Sequence, residues 1–186
     1  MHPETDITNV RLETKRLILR AWKQDDLSDF YEYARVPGVG EMAGWPHHES
    51  IETTKMILES FINEKNVFAI EHRETGKVIG SLGLHNSWAN GLSEYAPLKL
   101  IEIGYVLSKD FWGQGLMPEA VKAVIRYAFD EMKLDALTVC HFTSNTQSKR
   151  VIEKSGFIPV GTGVYHAKQL GTDIDDIRYI LKNPEF

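Results

Sequence analysis

The chain has 186 residues, which predicts a single domain over residues 1–186 with enough length to bury a substantial core. Its composition, 42% hydrophobic and 25% charged residues, is that of an ordinary soluble globular protein. A formal net charge of −5 argues against a broad electrostatic grip on nucleic acid or on an anionic membrane, and no apolar run reaches the length of a membrane span.

The first half of the chain predicts a strand, two helices and a hairpin. Alternating apolar residues indicate strands, and apolar residues at three- and four-residue steps indicate helices. Gly76 suits the turn of the hairpin, because glycine readily adopts a positive φ. In this half the expected strands are 11–22, 66–72 and 77–85, the helices are 27–34 and 51–64, and the loops are 36–48 and 86–97.

The second half predicts strands separated by two helices. Gly156 is the expected end of the second of them, since glycine is common just after a helix. The expected strands are 100–107, 136–142, 158–166 and 176–182, and the helices are 118–132 and 147–155. The predicted strands do not alternate strictly with helices. We therefore expect a mixed sheet with helices packed against it, and not a doubly wound repeat.

The turn between strand 100–107 and helix 118–132 indicates an anion site. Gly113 and Gly115 leave the backbone accessible and can take a positive φ. The N–H groups at the start of the following helix lack intrahelical partners, and the helix dipole favours negative charge there. Pro118 suits the first helical position. The turn is therefore either a seat for a phosphate or diphosphate or simply a tight connector.

Two familiar phosphate motifs do not fit this turn. The dinucleotide-binding G-x-G-x-x-G pattern fails because Pro118 stands where its third glycine would be. A Walker A loop fails because no Gly-Lys-Ser/Thr follows.

Cysteine and histidine usage argues against disulfides and metals. Cys140 is the single cysteine, so neither a disulfide within the chain nor a cysteine metal cluster can form. The seven histidines are scattered, apart from the adjacent His47 and His48, and sequence neighbours rarely surround a metal ion. The N-terminal residues lack the basic-then-apolar pattern of a signal peptide. We expect a cytoplasmic protein without a metal site.

Motifs along nearly the whole chain resemble the GCN5-related N-acetyltransferases (GNAT), in particular the RimJ/RimL-type branch that acetylates the N-termini of ribosomal proteins. The matching segments occur in the family's order and at suitable spacing. They are TKRLILR at 14–20, IGS at 79–81, EIGY at 102–105, FWGQG at 111–115, EA at 119–120, NTQS at 145–148, EKSGF at 153–157 and a trailing Asp176.

The resemblance implies the GNAT fold, of α/β (α+β) class, and an acetyl-CoA site. The fold would have a mixed sheet of about six to seven strands flanked by about four helices, with a strand pair that splays after a bulge and holds acetyl-CoA. The family's diphosphate turn, Arg/Gln-x-x-Gly-x-Gly/Ala, corresponds here to Trp112, Gly115 and Met117, so its first and last positions depart from the pattern. The implied contacts to acetyl-CoA are Tyr105, Val106, Leu107, Trp112, Gly113, Gln114, Gly115, Leu116, Met117 and Asn145.

The resemblance also implies the catalytic groups for acetyl transfer to an amine. Glu102 would act as the base, or alternatively would only fix a neighbouring loop. Ser148 would protonate the departing thiolate, although a serine near a helix start is equally a cap. Asn145 could likewise contact pantetheine or cap the helix. Cys140 is expected in the core, not as an acetylated nucleophile, and transfer would be direct within a ternary complex. His85 and His141 could line the pocket.

The acceptor is the open question. A protein N-terminal α-amine is partly neutral near neutral pH and needs only a modest base, which suits the ribosomal-protein branch. A polyamine, an amino-acid-like amine or an antibiotic would use the same chemistry, and a non-catalytic acyl-CoA sensor would keep the cofactor site alone. Neither nucleic acid nor a membrane is expected as a partner, and a homodimer through the last strands stays open.

Overall fold

The computed structural model describes residue 3 and residues 5–185. Within this part of the chain there are eight strands and four α-helices. The strands are β1 (Arg11–Glu13), β2 (Leu17–Ala21), β3 (Val67–His72), β4 (Val78–His85), β5 (Leu100–Leu107), β6 (Ala136–Phe142), β7 (Ile158–Ala167) and β8 (Thr172–Lys182). The helices are α1 (Leu27–Ala34), α2 (Ile51–Glu64), α3 (Leu116–Asp130) and α4 (Thr146–Lys154).

The strands form one mixed sheet in the order β1-β2-β3-β4-β5-β6-β8-β7. The predicted mixed sheet with four helices is confirmed, but the expected six to seven strands were one too few. Residues 11–22 fold as two antiparallel strands, with Arg11 opposite Arg20 and Glu13 opposite Ile18. The turn closes because the Thr14 hydroxyl accepts the Leu17 N–H at 2.9 Å, a local bond that an alternating pattern does not reveal.

Helices cover both faces of the sheet. Because side chains alternate along a strand, β3 sends Phe68 and Ile70 to the face covered by α3, and Val67 and Ala69 to the face covered by α1 and α2. The helix α4 packs on the same face as α3 and contributes the buried Ile152 to the core. Among residues 3 and 5–185, none of the helices has the length and apolar character needed to cross a bilayer.

The sheet opens between its two parallel strands. β5 pairs with β6 only at three positions, which are Leu100 with Ala136, Ile101 with Leu137, and Glu102 with Thr138. Beyond Glu102 the strands part, while each keeps its antiparallel neighbour on the other side. The expected splayed pair is therefore present. The expected bulge is not, because β4 and β5 pair without a register shift from Gly80–Leu107 to His85–Glu102.

Glu119 in the first turn of α3 ties this helix to the β1–β2 turn. Its carboxylate accepts the Thr14 hydroxyl at 2.6 Å, the Arg16 N–H at 2.9 Å and the Arg16 Nε–H at 2.7 Å. Burial alone would raise the pKa of this carboxyl group, but the three donated hydrogen bonds outweigh burial and hold the pKa below its ordinary value. The ionised form of Glu119 therefore stabilises the fold.

We expect Glu119→Gln to lower the free energy of unfolding at pH 7 by about 2 kcal/mol, because hydrogen bonds to a charged group are lost. Since the folded-state pKa is lowered, the contribution is present above the unfolded-state pKa and is lost as the pH falls through the folded-state value. The difference from the parent protein should thus narrow below a pH of about 4 in urea titrations. The control is Glu131→Gln at the exposed end of the same helix, which should change stability by less than about 0.5 kcal/mol. An equal loss in both variants would contradict this assignment.

Candidate active site

A cavity of about 940 Å³ lies where β5 and β6 part. It is lined by the turn that enters α3, the start of α4, the 39–45 loop, Trp88 and the end of β7. Of the residues proposed from the sequence, all but Gln114 line it. The Gln114 side chain instead turns outward and donates to the Asp110 carbonyl at 3.1 Å.

The glycine turn has the backbone expected of an anion site. Gly113 and Gly115 both have φ of +75°, and Gly115 is the residue that precedes α3. The helix begins at Leu116, so Pro118 occupies its third position and not the predicted first; it still removes no helical hydrogen bond. Within the described residues, the peptide N–H groups from Gly113 to Met117 donate no hydrogen bond. The turn therefore offers unpaired donors at a helix N-terminus.

Two side chains hold this turn in place. Trp112, at a position where the family pattern has Arg or Gln, donates its indole N–H to the Leu107 carbonyl at 2.8 Å and so fastens the turn to the end of β5. Arg16 donates Nη1–H to the Gln114 carbonyl at 2.9 Å while its Nε–H binds Glu119. The motif that contains Arg16 was visible in the sequence, but its contact with the turn, across 98 positions, was not.

Tyr105 contributes its side chain as well as its backbone. Its phenol lies 3.0 Å from the Ser148 hydroxyl, across the opening between β5 and α4. Burial raises the pKa of Tyr105, so the phenol stays protonated and able to donate. Val106 points to the opposite face of the sheet, and Leu107 is buried in the core.

Asn145 is the N-cap of α4, which is one of the two roles that the sequence allowed for it. Its Oδ1 accepts the Ser148 N–H at 3.0 Å, and its Nδ2 donates to the Met42 carbonyl at 3.2 Å. Asn145 thus joins α4 to the 39–45 loop. Because Asn145 supplies the cap, the Ser148 hydroxyl is left for Tyr105 and the cavity.

Glu102 lies at the last rung before the strands part, with its carboxylate in the cavity. It accepts the Trp88 N–H at 3.1 Å and the Cys140 thiol at 3.4 Å. Burial raises the pKa of Glu102, and the Trp88 hydrogen bond offsets this only in part. Glu102 therefore fixes the 86–88 loop, as one interpretation held, and its carboxylate also faces the cavity.

Cys140 is not the core residue that the apolar strand predicted. Because β6 alternates, Cys140 faces the cavity next to Glu102 and is half-buried. Burial, followed by the nearby Glu102 charge, raises the pKa of its thiol, which therefore stays protonated.

The two histidines differ. His141 also lines the cavity, but it is buried and bound on both ring nitrogens, by the Phe142 carbonyl at 2.7 Å and the Tyr179 hydroxyl at 3.1 Å. His85 lies in the cavity over Gly83 and Gly104, where a Cβ on Gly83 would collide with its ring. Partial removal from water lowers the pKa of His85, which favours the neutral imidazole. The G-x-H spacing in β4, which puts a glycine and the histidine on one face, was the available sequence signal.

No group of three or more His, Cys, Asp or Glu side chains is positioned to hold a metal among the residues described.

Comparisons with known proteins agree with this architecture. A family profile described as "Acetyltransferase (GNAT) domain" matches residues 16–158. The Bacillus subtilis (strain 168) protein called "Uncharacterized N-acetyltransferase YoaA" is 30% identical over 178 residues, covering 93% of this chain and 97% of the relative.

Solved structures show the same fold. The acetyltransferase (GNAT family) from Bacillus anthracis superposes with a TM-score of 0.78 at 22% identity, covering 93% of this chain and 98% of that one. The ribosomal-protein-S5-alanine acetyltransferase from Vibrio fischeri superposes with a TM-score of 0.72 at 21% identity, covering 95% and 98%. The resemblance drawn from the sequence motifs is confirmed, and this chain belongs to the GNAT family as an acetyl-CoA-dependent N-acetyltransferase.

Proposed function

We propose that the acceptor is a protein N-terminal α-amine and that the acetyl group passes to it directly, within a ternary complex. The observation that carries this proposal is that a half-buried carboxylate, Glu102, and a hydroxyl pair, Tyr105 and Ser148, share one cavity, which also reaches unpaired peptide donors.

The residues present fit acetyl-CoA, the co-substrate of the family. The turn from Gly113 to Met117 would bind the diphosphate through its free N–H groups. The edge of β5 from Tyr105 to Leu107, unpaired on the β6 side, would bind the amides of the pantetheine arm. Trp112 and Asn145 would shape this path, Trp112 by anchoring the turn and Asn145 by capping α4. When bound, the thioester supplies the acetyl group.

Side chains of the protein would carry out the two proton transfers of the reaction. The neutral amine nitrogen attacks the thioester carbonyl carbon and the C–S bond breaks. Glu102 takes the proton that the amine nitrogen must lose, and its raised pKa makes it a stronger base than an ordinary carboxylate. The Ser148 hydroxyl gives a proton to the departing thiolate, and the Tyr105 phenol at 3.0 Å can replace that proton.

A covalent acetyl-cysteine is disfavoured by the state of Cys140. Its thiol donates to Glu102, and burial keeps it protonated, whereas a nucleophilic cysteine must be a thiolate. Direct transfer needs no such intermediate. The single thiol also suits a reducing cytoplasmic setting.

A protein N-terminus is favoured by its acid–base chemistry and by the relatives. An α-amine with a pKa of about 7.7–8.0 is partly neutral at physiological pH, so one carboxylate base suffices. The V. fischeri structure, which shares this fold, is that of an enzyme named for an alanine of ribosomal protein S5. The net charge of −5 would also attract a basic protein tail.

The deciding experiment measures release of free thiol from acetyl-CoA with a panel of acceptors. Peptides that begin with Ala or Ser should be acetylated, with turnover well above that for spermidine, lysine side-chain analogues and aminoglycosides. Faster turnover with a small amine would replace the protein N-terminus as acceptor. Tight acetyl-CoA binding without turnover on any acceptor would instead indicate a sensor.

Substitution of the proposed base should separate catalysis from binding. We expect Glu102→Gln to lower kcat by about 10²–10³-fold, because removing a general base typically costs that much, while the Kd for acetyl-CoA stays within about twofold. The exposed Glu59→Gln variant is the control and should retain full kcat. If Glu102→Gln keeps parental kcat, Glu102 is only the anchor of the 86–88 loop.

If the Tyr105 and Ser148 hydroxyls act together, the effects of replacing each of them on kcat should not be additive. Ser148→Ala and Tyr105→Phe should each lower kcat, and the double variant should lose no more than about the larger single effect, because the two groups form one proton path. Losses that multiply would contradict a shared path, as would an unchanged kcat in Ser148→Ala.

The glycine turn can be tested against a matched glycine elsewhere. Gly113 and Gly91 have similar φ, +75° and +97°, and a Cβ on either would meet no atom within 4 Å; only Gly113 lines the cavity. Both alanine variants should therefore carry a similar strain of about 1–2 kcal/mol. Only Gly113→Ala should weaken acetyl-CoA binding in calorimetry, by about tenfold. Equal affinity in both variants would refute the diphosphate site.

A further inference from the structure

We propose that Arg178 binds the carbonyl oxygen next to the acceptor's amine, so that the enzyme selects α-aminoacyl amides, the chemistry of a peptide N-terminus, over amines without such an oxygen. This inference rests on the proposed function, since it concerns the acceptor of the same reaction.

Arg178 lies beside the proposed base on the same face of the sheet. It stands directly opposite Cys140 in the antiparallel β6–β8 pair, and opposed residues in such a pair share a face. The Cys140 thiol in turn contacts the Glu102 carboxylate at 3.4 Å. Arg178 and Glu102 both line the cavity on strands separated by β6, and Trp88 links them, because its ring lies 5.2 Å from the Arg178 Cζ while its N–H donates to Glu102 at 3.1 Å.

Three contacts hold the guanidinium in one orientation. Its Nε–H donates to Asp176 Oδ1 at 3.3 Å, and its Cζ lies 5.2 Å from the centre of the Trp88 ring. Its plane also lies against Gly163 of β7, where a Cβ would collide with Cζ, Nε and Nη2. Such a side chain loses little conformational freedom when it binds a ligand.

Most of the N–H donors of Arg178 are left without a hydrogen-bond partner among the described residues. An arginine side chain carries five N–H donors in a planar fork. Among the described residues only the Nε–H of Arg178 is paired, while the side chain is 26% exposed and lines the cavity. A half-buried guanidinium with unpaired Nη groups is therefore placed to donate to an oxygen of the acceptor.

The surrounding charge favours a neutral carbonyl over a free carboxylate. Asp176 is buried, with a side chain only 4% exposed, and it already offsets the charge of Arg178. Glu102 adds a further negative charge close by, which would repel a carboxylate. An amide carbonyl next to the amine carries no charge, so it can accept hydrogen bonds from the Arg178 guanidinium without this repulsion.

The test compares acceptors with and without the carbonyl in two proteins, the parent and Arg178→Ala, so that differences in amine pKa cancel. Alaninamide and an Ala-starting peptide carry the carbonyl, whereas isopropylamine has the same branched carbon without it. Arg178→Ala should lower kcat/KM for alaninamide and the peptide by about tenfold or more, chiefly through KM, and leave kcat/KM for isopropylamine and the KM for acetyl-CoA within about twofold. Alanine, with its free carboxylate, should be a poorer acceptor than alaninamide in the parent protein.

A glycine pair provides a control that leaves Arg178 in the sequence. Gly163→Ala should displace the guanidinium and reproduce the KM effect, whereas Gly161→Ala on the same strand, whose Cβ would meet no atom within 4 Å, should not. Arg178→Lys keeps the positive charge but loses the planar set of N–H donors. It should therefore restore less than half of the preference for alaninamide over isopropylamine that Arg178→Ala loses. Thermal unfolding of each variant identifies any loss caused by misfolding.

Equal losses of kcat/KM for alaninamide and isopropylamine in Arg178→Ala would overturn the inference, and so would a parental KM in Gly163→Ala. In either case thiol release with peptides would still stand as evidence for the acetyltransferase itself. A parent protein without turnover on any amine would overturn the proposed function and this inference together. Alanine used better than alaninamide would replace the carbonyl with a carboxylate as the recognised group.

Discussion

The architecture of this protein depends on where the parallel pairing of β5 and β6 stops. Three rungs join the strands, and beyond Glu102 and Thr138 their facing edges separate although each strand keeps its outer neighbour. Peptide groups along such edges need hydrogen-bond partners when water is excluded. A ligand with amides of its own meets that requirement, as the pantetheine arm of acetyl-CoA does. The opening thus converts the middle of a sheet into a binding slot without ending either strand.

The two ends of the slot are built for different charges. At one end, unpaired N–H groups from Gly113 to Met117 meet the N-terminus of α3, and Glu119 with Arg16 holds that helix and turn against the β1–β2 turn. At the other end, Glu102 and Asp176 bring negative charge and Arg178 brings a guanidinium. These charges suit an anionic coenzyme at the glycine turn and, in the proposed function, an amine acceptor near Glu102.

Alternation along β5 separates the two proton-handling groups. Glu102 and Tyr105 differ by an odd number of positions, so their side chains lie on opposite faces of the sheet. Tyr105 reaches Ser148 on the α4 side, and Glu102 stays with Trp88, Cys140 and the acceptor end. In the proposed mechanism, removal of a proton from the amine and delivery of one to the sulphur would therefore take place on opposite faces of the sheet. Two glycines on different strands, Gly83 on β4 and Gly163 on β7, leave room for the flat side chains of His85 and Arg178.

The sequence by itself determined the family, the mixed sheet with four helices, the glycine turn and the residues that line the slot, because periodicity and local motifs encode these. It missed the β1–β2 turn, which is closed by hydrogen bonds between Thr14 and Leu17. It also assigned Cys140 to the core, because a strand's apolar pattern does not say which part of a sheet is open. Only the tertiary structure decided that Asn145 caps α4, that Tyr105 joins Ser148, and that Arg16 braces the turn. The same is true of Arg178 beside Glu102. Apart from the local Asn145 cap, these contacts join residues far apart in the chain, and their geometry follows from strand register and helix packing, which no local pattern records.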